Sequence, residues 1–140
     1  ENTKAELANN TNIKDIRSQE MLIAFLYYNP DKYRFVEDDI SAEDFSVADN
    51  RAIFKVLCER IKDELSLEYT FFTEHLTPEQ LSAFVKMCKT NQDFVYSEKV
   101  CEDCIKTIKS SKKKSEGKPS VSNLSDEEYL KLFNKKQNKQ

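Results

Sequence analysis

Cys101-x-x-Cys104 is the pair in this chain best spaced for metal or thiol chemistry. A closed zinc site needs four thiolate or imidazole ligands in a tetrahedral array. The remaining candidates are Cys58, Cys88 and the lone His75, and none of them forms a second short-spaced pair. The same two cysteines also fit one stripe of a helix, where a thiol serves as a small apolar core group. His75 could carry a proton, but no serine or cysteine with a suitable neighbour accompanies it as a nucleophile. Glu37-Asp38-Asp39 is an acidic run with neither the spacing nor the turn glycine of a calcium loop. Glu43 and Asp44 are accounted for by helix capping. The basic run from Lys109 to Lys118 offers Lys112, Lys113 and Lys114 for a weak contact to DNA phosphates. It has no aromatic ladder on which bases could stack. The residues therefore predict no catalytic group, no metal site and no cofactor.

Composition narrows what could position such groups. The 140 residues include one glycine, Gly117, and three prolines. Glycine-rich phosphate loops need positions without a Cβ, so dinucleotide and P-loop folds are excluded. Tight β-turns draw on the same residues, which leaves an all-α protein. No apolar run approaches the roughly 18 residues of a membrane span, and no secretory signal is present. Four cysteines in an otherwise ordinary composition fit a reducing compartment more than a disulfide framework. The chain opens on Glu1 rather than Met, which reads as a piece of something longer. The net charge of −3 conceals an asymmetry: residues 105–140 carry ten Lys against four acids, leaving −9 on residues 1–104. An acidic body repels nucleic acid over most of its surface.

Periodicity predicts a multi-helix bundle of about six helices over residues 13–109, preceded by a linker at 1–12. A C-terminal helical hairpin over 110–140 follows, its first helix continuous with the last of the bundle. The opening helix spans about Ile13 to Tyr28, with Ile16, Glu20, Ile23 and Tyr27 on its buried stripe and Leu22, Phe25 and Leu26 beside it. Asn29-Pro30 ends it, and Asn29 is placed to cap a short helix from Pro30. Ser41 and Asp44 form a capped turn. Ser46 is the expected cap of a helix from about Val47 to Lys62, with Ile53, Val56, Leu57 and Ile61 inward. Another short helix falls within 66–76. Thr77-Pro78-Glu79-Gln80 combines N-cap, first-turn proline and capping box, opening a helix to about Lys89. Asn91 or Asp93 opens a long helix from about Phe94 to Ser115, with Val100, Cys101, Cys104, Ile105 and Ile108 apolar. A loop at 116–124 precedes a last helix capped by Ser125.

That last helix carries Tyr129, Leu130, Leu132 and Phe133, four large apolar groups on a short segment. They either fold back on the hairpin or contact another protein as a helix in a groove.

Two motifs suggest a family. Arg17-x-x-Glu20-x-Leu22-Ile23-x-x-Leu26-x-x-Asn29-Pro30 resembles the opening helix of the C-terminal domain of bacterial DnaG-type primase. Phe45 followed by Asn50-Arg51-Ala52-Ile53-Phe54-x-x-Leu57 continues the resemblance, which covers about residues 13–109; residues 110–140 fit by architecture alone. It implies a helicase-binding domain in the bacterial cytoplasm. Such a domain is monomeric alone and docks on the N-terminal collar of the hexameric replicative helicase to recruit primase to the fork. Tyr129, Leu130, Leu132 and Phe133 would be the contact, and the catalytic transferase would lie elsewhere in the parent primase. The same motifs also resemble the collar domain of the DnaB-type helicase itself, which would self-associate. The missing Gly-Gly pair and the polar tail KKQNKQ weigh toward the primase. A small metal or thiol-redox protein using Cys101 and Cys104 is a third reading.

Overall fold

The computed structural model describes the backbone of residues 2–123 and the side chains of residues 13–113. Within them lie four α-helices: α1 (Asn2–Tyr28), α2 (Ala48–Lys62), α3 (Pro78–Thr90) and α4 (Glu98–Asn123). Three 3-10 segments, Pro30–Phe35, Ala42–Asp44 and Tyr69–Phe72, join them, and the described residues contain no strand. The all-α class is as the sequence predicts.

Helix α1 is the hub, packing against α2, α3 and α4. It begins at Asn2, where a linker was expected, and the helix formers Lys4, Ala5, Glu6, Leu7 and Ala8 account for that. Its buried stripe is Asp15, Ser18, Gln19, Leu22, Ile23 and Leu26. This is turned by one residue from the expected stripe, leaving Ile16, Glu20 and Tyr27 only partly buried. The first turns of the buried face are thus polar, which an apolar count along the chain does not detect. At the other end, Asn29 donates from Nδ2 to the Phe25 carbonyl at 3.0 Å. It closes α1 and makes no side-chain cap to the segment that follows.

Helix α2 buries Asn50, Ile53, Phe54, Leu57 and Cys58. It ends without glycine. The Leu65 amide reaches the Arg60 carbonyl at 2.9 Å and the Glu64 amide reaches Ile61 at 3.1 Å. These are the two bonds of a Schellman closure, and Glu64 takes the left-handed residue's place at φ 55°. Helix α3 starts as expected. Thr77 Oγ1 accepts from the Gln80 amide, and Gln80 Oε1 accepts from the Thr77 amide, each at 3.1 Å. Asn91 closes α3 by donating to the Met87 carbonyl at 2.7 Å, so it does not open α4. The start of α4 falls instead at Ser97, whose Oγ accepts from the Val100 amide at 3.4 Å.

Cys101, Cys104, Ile105 and Ile108 face inward from α4, while Val100 is exposed. The helix continues to Asn123 through Gly117 and Pro119, where a loop was expected. Intrinsic propensity offers no reason for this, since those two residues cost about 1 and 3 kcal/mol in a helix interior. Residues 124–140, including the helix expected from Ser125, lie outside the described residues.

Five phenylalanines, Phe25, Phe45, Phe54, Phe72 and Phe84, are fully buried. Each contributes about 1.5–3 kcal/mol of transfer free energy. Phe45 stacks on Phe54 with centroids 4.5 Å apart, and Tyr27 stacks on Tyr69 at 5.2 Å with Phe84 edge-on to both. These rings bind the irregular connections to the helices, so segments with few hydrogen bonds of their own are still held.

Candidate interaction site

The groups with the best spacing for chemistry lie in the core. Cys101 and Cys104 sit on the inner face of α4, almost wholly buried. Burial pushes both thiols up, Cys104 to about 11, against hydrogen bonds to Tyr96 and Ser18 that oppose the shift. Cys58 and Cys88 are pushed up to about 12 for the same reason. The thiolate is the form that binds metal and attacks electrophiles, so these positions disfavour both activities. Among the described residues, no three His, Cys, Asp or Glu side chains converge as a metal-holding group. His75 is exposed beside a cavity of about 290 Å³ lined by Val56, Glu59, Arg60, Asp63 and Leu65. None of those five is a serine or a cysteine.

The acidic run Glu37, Asp38 and Asp39 is exposed after the 3-10 segment Pro30–Phe35. Asp44 closes its capping turn by accepting from the Ser41 amide at 2.9 Å. It has a second role that the sequence does not reveal, for Lys112 on α4 approaches its Oδ1 at 3.2 Å. One of the three lysines considered for DNA is therefore engaged within the fold. Lys113 is exposed, and the Lys114 side chain lies outside the described residues. Tyr129, Leu130, Leu132 and Phe133 lie outside them too.

A polar chain, buried at Asp15, Gln19 and Asn50 and exposed at Ser46, went unread in the sequence. Ser46 Oγ donates to Asp15 Oδ2 at 2.7 Å and accepts from Gln19 Nε2 at 2.8 Å. Gln19 Oε1 accepts in turn from Asn50 Nδ2 at 3.1 Å. Ser46 is thus occupied between helices, and Val47 takes the N-cap position of α2. Asp15 Oδ1 is buried without a hydrogen-bond partner. One residue along, Arg51 brackets the Phe45 carbonyl with Nε at 3.2 Å and Nη2 at 3.0 Å. Together these bonds fix the start of α2 against α1. The Asn50-Arg51 pair was visible as a motif, but its role needed the fold.

What remains for contact with other molecules is surface. Phe35, Phe94 and Val95 are more than half exposed, on the connections after α1 and before α4. Phe35 and Tyr96 line a groove of about 170 Å³ with Asp39, Glu98, Glu102 and Ile105. The groove brings aromatic and aliphatic side chains together with three carboxylates, a surface suited to binding a chain.

The family model of the DnaB-like helicase N-terminal domain matches residues 11–110. The chain belongs to this family. The matched span runs from early α1 to just beyond Ile108, the last buried residue of α4 among those whose side chains are described. No curated protein and no solved structure matches the chain.

This match overturns the primase reading, and with it the primosome role and the nucleotidyltransferase parent. The physical reason lies in the motif residues. Leu22, Ile23, Leu26, Phe45, Ile53, Phe54 and Leu57 are all buried. They specify how helices pack, and two domains of related fold share them. The missing Gly-Gly pair weighed the wrong way, since the family model matches residues 11–110, a span that holds no glycine. A domain of the matched family is non-catalytic by itself and works through protein–protein contacts within a helicase assembly. No helix among the described residues is long and apolar enough to cross a membrane.

Proposed function

We propose that this chain is the collar-forming N-terminal domain of a hexameric replicative helicase, an assembly module whose parent protein supplies the motor. The observation that carries this reading is the family match over residues 11–110, which coincides with the packed helical body. Three features support it. The polar groups capable of chemistry are buried or dispersed, as a non-catalytic scaffold requires. Phe35, Phe94 and Val95 present exposed apolar surface on the connections after α1 and before α4. Helix α4 also continues to Asn123, well past Ile108, giving a long element for contact between copies.

Association driven by such surfaces is concentration-dependent, so oligomeric state is the test. In multi-angle light scattering across about 5–200 μM, a range spanning micromolar dissociation constants, the full chain is expected to show a mass rising above one copy. A strictly monomeric mass at the highest concentration overturns the proposal.

A further inference from the structure

We draw no further inference here: the strongest candidate, the groove between the Pro30–Phe35 connection and the start of α4, already carries Lys32 and Arg34 on its aromatic rings, and nothing in the structure shows what covers it.

Discussion

Gln19 shows how a single side chain can carry structure that no apolar pattern reveals. It is fully buried on α1 and bridges Ser46 to Asn50, giving and accepting one hydrogen bond. Replacing it with alanine leaves the Asn50 amide without its acceptor inside the body and opens a void. A buried polar group stranded in this way costs about 1–3 kcal/mol, more than the bond itself contributes. Gln19→Ala is therefore expected to lower stability by about 2 kcal/mol, read as a lower urea midpoint at unchanged slope. The same region shows the limit of reading residues one at a time. The Leu22, Ile23 and Leu26 core was legible because apolar groups at helical spacing have one sensible destination. Asp15, Ser18 and Gln19 were not, because a polar residue is buried only where distant partners meet it, and Ser46 and Asn50 are about thirty positions away.

Helix ends divide in the same way. The Thr77 box was readable because all its partners lie within four residues and its two bonds are local. Ser46 and Asn91 carried the right chemistry for N-caps, yet Ser46 serves a contact between helices and Asn91 closes the helix before it. A capping residue reports that a terminus is near and leaves open which terminus. The end of α2 holds a testable cost. Glu64 occupies a left-handed position, φ 55°, where a Cβ crowds the following carbonyl. Glu64→Gly relieves that crowding and keeps both Schellman bonds, though glycine also loosens the unfolded chain. The net expectation is a gain of about 0.5–1 kcal/mol, whereas Glu64→Val, branched at Cβ, is expected to lose stability. Paired thermal melts of the two variants check the opposite signs.

Over the whole molecule, fold class followed from composition and periodicity, since one glycine and helical spacing leave few alternatives. The specific family did not follow, because the motifs that suggested it are the packing residues common to related bundles. Charge was legible as a total and as an asymmetry, but its use was not. Lys112 belongs to the basic run and Asp44 to a capping turn, and only the tertiary fold brings them to 3.2 Å. That contact ties α4 to the connection before α2, one turn beyond the buried Ile108. It is partly exposed, so its contribution is at most about 1 kcal/mol and weakens with salt.

The placement of the four free cysteines makes the body a self-reporting system. Cys58 lies on α2, Cys88 on α3, and Cys101 with Cys104 on α4, all shielded in the folded state. Helix α1 holds none and is the hub against which the others move. A thiol reagent can modify each of these groups only when its own helix lifts away, so the modification rate measures how often that helix opens. Peptide mapping of partly labelled protein would rank the three helices by opening frequency without inserting a probe. Helix α4 shares the broadest contact with the hub and should open last, leaving Cys101 and Cys104 slower than Cys58 and Cys88. Uniform rates at all four positions would mean that the bundle comes apart only as a unit.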